Sequence, residues 1–452
     1  MLAYNLRLAW KSLRRNPILS VLIVGGIALG VAISTAFITV YHVFSEDPLP
    51  NKSAALHYVQ MDNWDPKAPP HPNFGGLPPQ LTYRDVREIL RSKIPVRQTA
   101  NFLAALYIFP EDQRARPSQE QVRMVFSDFF PMFEVPFKYG SGWSRAADGS
   151  AGGAAGAEPV VVINSALNER LFGGANSVGR TLRIDRRDFR IVGVIGPWRP
   201  RVKMYDINGN PFSQPESVYL PFNWIEPMEI RSVGNRDNWK ALEGNPGFVE
   251  SLRIGEANFI QMWVELPDGK SRQAYQSYLD AYTLDQRKIS RFERPIHNLV
   301  TPLPELLRKW EVVPPQTKAL AAISVLFLIV SALNLVGLFL GKFLARAPHV
   351  GIRRALGASR RSIFLQHLIE CEVVGLIGGA IGLLLSLGVL AFFNNLFSRA
   401  LQGRAETESF FRLDPTMILA AVLLSLVAGA IAGIYPAWRI CSIPPANHLR
   451  NQ

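Results

Sequence analysis

The sequence predicts an α-helical integral membrane domain of four transmembrane helices, with both termini on the inner side and a large α+β domain inserted between helices 1 and 2. Hydrophobic residues make up 48% of the chain and are gathered into four apolar runs, each long enough to cross a bilayer. A long stretch of mixed composition, residues 45–317, separates the first run from the second. Almost all of the net charge of +13 comes from Lys and Arg that flank the apolar runs, and this bias predicts which ends of the helices lie on the inner side of the membrane.

Residues 1–17 are predicted to form an amphipathic helix in the inner interface, because basic residues alternate there with leucines. Residues 18–44 contain no Asp, Glu, Lys or Arg and form the predicted first transmembrane helix. A cleavable signal peptide is the alternative interpretation. Its apolar core would be shorter, about 7 to 15 residues, so the transmembrane interpretation is favoured.

Residues 45–317 are predicted to be an α+β domain with two subdomains. Its apolar patterns predict helices at 81–94, 164–172 and 271–288 and strands at 122–126, 160–163, 181–184, 189–195 and 259–266. A helix that begins at Leu303 is expected to continue into the membrane. Residues 141–159 are rich in Gly and Ala and are expected to be a flexible surface loop, so that deleting most of them leaves the fold intact.

Three more apolar runs close the chain, and each is long enough to span a membrane. The predicted segments are transmembrane helix 2 (318–342), an inner loop (343–364), transmembrane helix 3 (365–397), a short outer loop (398–415), transmembrane helix 4 (416–436) and an inner tail (437–452).

Small residues repeat at helical spacing on these runs, which lets helices approach each other closely. The predicted packing residues are Gly26, Gly30, Asn334, Gly375, Gly379, Gly429 and Gly433. For Asn334, an interhelical hydrogen bond is favoured over contact with a substrate. Pore lining is the alternative for the glycines, but the central spans carry no ionisable residue, which argues against an ion pathway or a proton relay.

The inner loop carries six Lys/Arg and no acid between residues 342 and 362. Helical spacing places Ile352 and Leu356 on one stripe of a short helix, with arginines on its other faces. Gly357 is expected to end that helix. This loop is interpreted as a surface through which another protein moves the membrane domain, and a loop whose charges only fix orientation is the alternative.

Glu370 lies at the inner entrance of the third transmembrane helix. Two interpretations stay open at this point. The carboxylate forms an interface ion pair with Arg353, Arg354 or the N-terminal arginines, or it is solvated at the membrane surface.

Several classes of function are excluded by motifs that the sequence lacks. It contains no G-x-x-x-x-G-K-[ST], no G-x-S-x-G and no H-E-x-x-H, and its seven His are not paired at metal-ligand spacing, so no catalytic or metal site is expected. Residues 45–317 are nearly neutral, and the excess charge beside the membrane suits anionic lipid rather than nucleic acid. The cysteines are Cys371 and Cys441, so the outer domain folds without a disulfide.

Several motifs resemble the MacB/FtsX family of ABC transporter permeases, the mechanotransmission class. The most specific are HVGIRRALGASRRSIFLQHLIE (349–370), preceded by Asn334 and Arg346, and YPAWRICSIPPANHLR (435–450). NLRLAWKSLRRNP (5–17), VRMVFSDFFPMF (122–133) and PVVVINSALNERLFGGANSVGRTLRI (159–184) extend the resemblance over most of the chain. One departure is His349, which stands where the family has an acidic residue.

The resemblance implies an inner-membrane permease with four transmembrane helices, a large periplasmic domain and a dimeric assembly. It implies that a separate ABC ATPase subunit, which carries ATP and Mg²⁺, grips the inner loop and drives export or extraction of a periplasmic substrate. A second permease is expected, with a heterodimer favoured because of His349, and a periplasmic adaptor and an outer-membrane channel are possible partners. The implied ATPase-coupling residues are Arg346, Gly351, Ile352, Arg353, Arg354, Leu356 and Gly357.

Two other classes of function stay open. An FtsX-like regulator would use the same motion to activate a periplasmic cell-wall hydrolase, but its outer domain is expected to be much smaller. A membrane-anchored periplasmic binding module would have no motor and no ATPase partner.

Overall fold

The structure is a computed structural model and describes residues 2–71, 74–110, 116–149, 156–198, 200, 202–209, 211–313, 315–400 and 411–442. The chain divides into two compact units. We call Met1–Glu46 together with Val313–Gln452 the helical unit, and Asp47–Val312 the mixed unit. In chain order the mixed unit lies between two long apolar helices of the helical unit.

The described helices are α1 (Leu2–Arg15), α2 (Pro17–Ser45), α3 (Tyr83–Ile89), α4 (Phe129–Met132), α5 (Ser165–Phe172), α6 (Phe248–Ile254), α7 (Gly269–Arg287), α8 (Leu303–Lys309), α9 (Pro315–Leu344), α10 (Ala347–Ala355), α11 (Arg360–Ala400) and α12 (Pro415–Cys441). The described strands are β1 (Leu56–Met61), β2 (Leu81–Thr82), β3 (Arg97–Phe109), β4 (Ser118–Val125), β5 (Phe137–Gly140), β6 (Val160–Asn164), β7 (Thr181–Ile184), β8 (Arg187–Ile195), β9 (Val218–Pro221), β10 (Asp237–Asn238), β11 (Ala257–Glu265) and β12 (Asn298–Pro302).

Four helices of the helical unit, α2, α9, α11 and α12, are long and apolar enough to cross a membrane. Pro17 opens α2, where the N–H that proline lacks would have had no helical partner. Asp414 caps α12 by accepting a hydrogen bond from the N–H of Met417 at 2.8 Å. The outer loop and the tail predicted at 398–415 and 437–452 lie largely outside the described residues.

The mixed unit is built on a twelve-stranded sheet in the order β12-β1-β11-β3-β4-β9-β6-β8-β5, with β2 and β10 on β11 and β7 between β3 and β8. Most neighbouring strands are antiparallel, whereas β4–β9 and β6–β8 are parallel. The first and last strands, β1 and β12, are direct antiparallel neighbours, with His57 opposite Pro302. The two ends of the unit therefore lie side by side.

Apolar side chains form a core on each face of the sheet, because successive residues of a strand point to opposite faces. Tyr58 and Trp263 belong to one core, where their rings meet edge to face with centroids 4.9 Å apart. Their chain neighbours Val59 and Val264 belong to the other core.

A balanced ionic network is buried in the mixed unit. The Arg123 guanidinium contacts the carboxylates of Asp206 and Glu216, each at 2.5 Å. Lys203 lies 3.0 Å from both carboxylates, so two cations face two anions. Burial by itself would raise the pKa of Glu216, but Arg123 and Lys203 lower it to about 2.

Two predicted helices of the mixed unit differ from the structure. The helix expected at 81–94 is shorter in the structure, where α3 runs from Tyr83 to Ile89. Thr82 fixes its start as the N-cap, since its side chain accepts a hydrogen bond from the Asp85 N–H at 3.1 Å. The helix beginning at Leu303 does not continue into the next apolar run. It ends at Lys309, and Glu311 has a φ of 47°, which a right-handed helix does not contain.

The prediction of a loose loop over 141–159 is wrong for its first half. Trp143 is buried, and its Nε1 donates a hydrogen bond to the Asp148 carboxylate at 2.7 Å. Ser127 donates to the same carboxylate from its N–H, and Asn223 donates to the Asp148 backbone oxygen at 2.6 Å. Residues 150–155 lie outside the described residues. Deleting most of the segment is therefore expected to damage the core.

Candidate functional site

A short helix lies between the two long helices α9 and α11. Arg346 stands at the position before α10, and Gly357 follows the helix with a φ of 99°, a left-handed conformation that glycine adopts without strain. The Ser359 hydroxyl then accepts a hydrogen bond from the Ser362 N–H at 3.2 Å, which caps the start of α11. We call residues 345–359 the α10 loop.

The α10 loop has a packed side and an open side. Ala347, Val350 and Gly351 are buried in the helical unit. Ile352 and Leu356, which share the opposite stripe, have exposed fractions of 50% and 82%. Two apolar side chains on one exposed stripe form a contact surface that the described part of the chain does not cover.

The arginines of the α10 loop face the neighbouring helices. Arg353 donates a hydrogen bond to the Gln366 side chain on α11 (2.5 Å), and Arg354 donates to the backbone oxygen of Cys441 at the end of α12 (3.2 Å). Neither of them pairs with Glu370, so the pairing predicted with these two arginines is wrong. These two arginines instead hydrogen-bond the loop to α11 and α12.

Glu370 lies at the centre of a buried polar cluster, which we define as Ser12, Lys342, Arg346, His367 and Glu370. Lys342 Nζ lies 2.8 Å from Glu370 Oε1, and the two side chains are 0% and 4% exposed. Ser12 Oγ donates a hydrogen bond to the same carboxylate. Burial excludes the alternative of a solvated Glu370.

The other two members complete the polar cluster. Arg346 donates a hydrogen bond to Ser12 Oγ at 2.8 Å and lies 3.5 Å from the Glu370 carboxylate. His367 lies one helical turn before Glu370, with its Nδ1 3.9 Å from that carboxylate. One carboxylate thus connects α1, the end of α9, the start of α10 and α11. If α10 is displaced, either the other three helices move with it or these contacts break.

Six of the glycines that the sequence marked for packing lie where helices approach. A Cβ on Gly375 would lie 2.9 Å from the Ser425 oxygen, and one on Gly379 would collide with the Ser425 side chain. A Cβ on Gly26 would approach Leu335, and one on Gly30 would approach Leu328. A Cβ on Gly429 or Gly433 would approach Cys371. Gly26 and Gly30 lie between α2 and α9, and the others lie between α11 and α12.

Asn334 differs from these glycines. It lies on the exposed side of α9 beside Leu333, which is 55% exposed, and it forms no hydrogen bond with another described residue. The interhelical hydrogen bond predicted for it is therefore not formed within the described part of the chain, because α9 turns this stripe away from its neighbours.

Sequence reasoning found Glu370 but missed its partners Ser12, Lys342 and His367. The spacing of three residues from His367 to Glu370 was a usable signal, since such residues share a helix face. Ser12 and Lys342 lie on other helices and left no local signal. Among the described residues, no group of three or more His, Cys, Asp or Glu could hold a metal ion.

Comparison with protein families identifies the class of this molecule. Residues 20–282 match the model of the MacB-like periplasmic core domain, and residues 321–445 match that of the FtsX-like permease C-terminal domain. The chain belongs to the MacB/FtsX family of ABC transporter permeases, which confirms the resemblance stated from the sequence.

Individual relatives agree with this assignment. The "Macrolide export ATP-binding/permease protein MacB" of Syntrophobacter fumaroxidans is 24% identical over 323 residues, which cover 65% of this chain and 43% of that protein. The "Uncharacterized ABC transporter permease YvrN" of Bacillus subtilis is 20% identical over 452 residues, 99% of each chain. The chain thus spans less than half the length of this MacB relative and the full length of YvrN. The solved periplasmic region of MacB from Actinobacillus actinomycetemcomitans aligns with 52% of this chain and 86% of its own, at 12% identity and a TM-score of 0.32.

Proposed function

We propose that this chain is a permease subunit of an ABC transporter that is driven by a separate ATPase subunit. The ATPase, which holds ATP and Mg²⁺, binds the α10 loop on the cytoplasmic side of the inner membrane. Its movement reaches the mixed unit in the periplasm through the long helices. There it drives export of a substrate, or its extraction from the periplasm or the outer leaflet.

The observation that carries this proposal is the open stripe of the α10 loop. Leu356 and Ile352 are exposed beside the half-buried Arg353 and Arg354, and an exposed apolar patch rimmed by polar residues is typical of a protein contact site. The opposite side of the same short helix is packed on the helical unit. A partner that moves this stripe would therefore move the packed side with it.

The polar cluster supports a path for that movement. Arg346, which directly precedes α10, contacts Ser12, and Glu370 connects this region to Lys342 at the end of α9. Helix α11 has 41 residues, which corresponds to a rod of about 60 Å. Long helices that carry no ionisable residue in their central spans suit the transmission of force better than the conduction of ions.

The distribution of charge supports the proposed orientation, with both termini in the cytoplasm. Exposed Lys and Arg lie on α1 and at the start of α11, and the α10 loop adds three half-buried arginines, Arg346, Arg353 and Arg354. At the opposite end of α2 and α12, His42 pairs with Asp414 at 3.4 Å. Basic residues favour the cytoplasmic side, and the mixed unit, which follows α2, would then lie in the periplasm.

Asn334 supports a second permease subunit as a further partner. An amide without a hydrogen bond is costly in a bilayer, and Gly337 and Gly341 on the same side of α9 have no atom within 4 Å of where a Cβ would stand. A helix of another permease would cover this stripe and pair with the amide. Either a second copy or, as His349 favours, an unlike permease fits these features.

Purification of the full chain in mild detergent from its native host tests the proposal. We expect an ABC ATPase to be recovered with it, and an adaptor or an outer-membrane channel would identify a tripartite exporter. The double variant Arg353→Asp/Leu356→Asp should still insert in the membrane but should lose the ATPase. The matched control is Leu284→Asp/Lys288→Asp at the exposed C-terminal end of α7, which also replaces one leucine and one basic residue by Asp, in the mixed unit.

Three outcomes would contradict the proposal. Recovery of a fully active lone chain would favour the motor-free binding module. An ATPase that remains bound to the α10 loop variant as tightly as to the control would exclude the open stripe as its contact. Recovery of a periplasmic cell-wall hydrolase with the complex would instead favour the FtsX-like regulator.

A further inference from the structure

Helix α1 presents a basic stripe on the side that faces away from the helical unit. Arg7, Lys11 and Arg15 are all exposed. At 100° per residue they fall within about 80° of one another around the helix. Ala9 and Ser12 lie on the other side and are buried.

No described acid neutralises this stripe. The described acids of the helical unit are Glu46, Glu370, Glu372 and Asp414. Glu370 is buried in the polar cluster, and Glu372 is half-buried beside Gly429 on α12. Glu46 and Asp414 lie at the far ends of α2 and α12, which for α2 is about 40 Å from α1.

The position of α1 in the chain places the stripe at the membrane surface. Only Asn16 separates the end of α1 from Pro17, where the apolar helix α2 begins. The stripe must therefore lie close to the depth at which phospholipid headgroups lie. Lys and Arg at this depth bind anionic headgroups, and each contributes roughly a fivefold gain in affinity.

The same helix inserts a residue into the polar cluster. Ser12 Oγ donates to Glu370 and accepts from Arg346, so it lies between the two charged groups. We propose that anionic phospholipids bind the outward stripe of α1 and that this binding holds Ser12 in the polar cluster. The lipid thereby sets how firmly α1 is coupled to α9, α10 and α11.

This inference rests on the proposed function only for the assignment of the stripe to the cytoplasmic leaflet and for the role of the cluster in transmission. Lipid binding itself requires no ATPase and no particular orientation. Its test is therefore made on the permease chain alone, so that failure of the lipid site and failure of the ATPase assignment are separate results.

The full chain is reconstituted in nanodiscs of phosphatidylcholine, with or without phosphatidylglycerol, and amide hydrogen exchange is measured for residues 2–15. We expect exchange in this segment to slow by about tenfold or more when phosphatidylglycerol is present. The same exchange rate in both nanodiscs would overturn the proposal without need of any variant.

The triple variant Arg7→Gln/Lys11→Gln/Arg15→Gln adds a second readout. Native mass spectrometry should find fewer retained phosphatidylglycerol molecules on it than on the control Arg186→Gln/Lys270→Gln/Arg272→Gln, which removes equal charge from exposed positions of the mixed unit. Equal lipid retention by the two variants would overturn the lipid site. Ser12→Ala should keep the lipid but lose the protection of α1, and full protection in that variant would overturn the link to the cluster.

Discussion

Lys342 and Glu370 form an ion pair with 2.8 Å between Nζ and Oε1, and both side chains are almost completely shielded from solvent. The pair joins the last turn of α9 to α11. In a medium of low dielectric constant neither charge is stable alone, so each residue depends on the other. The contact is therefore a sensitive point at which to test how the helices are held together.

Glu370→Gln should destabilise the helical unit. Lys342 and Arg346 would keep their positive charges without a counter-ion, and removing one partner of a buried pair costs about 3–5 kcal/mol. We expect a lower melting temperature of the full chain in detergent and faster hydrogen exchange in α1. Lys342→Met/Glu370→Leu should recover part of the loss, because only Arg346, whose side chain is 22% exposed, then lacks its counter-ion. A double variant as unstable as the single one would show that the ion pair is not the cause.

The close contact between α11 and α12 depends on the absence of a side chain at Gly375. Gly375→Ala places a Cβ 2.9 Å from the backbone oxygen of Ser425, and relieving this overlap should cost about 1–3 kcal/mol. Gly388→Ala on the same helix is the matched control, because nothing lies within 4 Å of its Cβ. Thermal unfolding in detergent measures both variants. Equal melting temperatures for the two would contradict the packing role.

The ionic network of the mixed unit allows a comparison of buried and exposed charge. Arg123→Met leaves the carboxylates of Asp206 and Glu216 with Lys203 as their remaining cation, and should cost about 3–5 kcal/mol of the free energy of unfolding. Arg190→Met removes the exposed ion pair with Glu158, whose side chains are 58% and 51% exposed and 3.8 Å apart, and should cost under about 1 kcal/mol. Similar losses, measured by urea unfolding, would contradict this account.

Asp148 should make the stability of the mixed unit depend on pH. Burial raises the pKa of its carboxyl from 3.8 to about 6, despite the hydrogen bonds from Ser127 and Trp143 that oppose the shift. The folded state then binds a proton more tightly than the unfolded state, so this group's contribution is fully present below pH 3.8 and is lost as the pH rises through about 6.

The change due to Asp148 is at most about 3 kcal/mol. The measurement compares the pH dependence of unfolding in the wild-type chain and in Asp148→Asn across this window. The wild-type protein should lose stability relative to the variant as the pH rises. Parallel pH curves would mean that Asp148 does not titrate between its unfolded value and about 6.

The regular elements were accessible from the sequence because their signals are local. Four apolar runs predicted the long helices, and the strands expected at 160–163, 181–184 and 189–195 are β6, β7 and β8. The helix over 164–172 was recognised by its cap, and Asn164 does accept a hydrogen bond from the Leu167 N–H at 2.7 Å.

Features that depend on distant partners were not accessible. Helical spacing does not predict which neighbouring helix faces Asn334. It also does not predict the contact between Ser12 and Glu370, which are 358 residues apart in the chain. The Gly- and Ala-rich composition of residues 141–159 also led to a wrong prediction of a flexible loop over residues 141–149, which contain a tryptophan. A large aromatic residue such as Trp143 in a flexible-looking segment was the signal that part of it is packed.

The pairing of β1 with β12 has a consequence for how such proteins diversify. Because its first and last strands are joined by a shared ladder, the mixed unit leaves and rejoins the rest of the chain at one edge. A unit with adjacent ends can be exchanged as a cassette, since a replacement of different size fits the same two junctions. Evolution can thus replace the mixed unit while the helical unit stays unchanged.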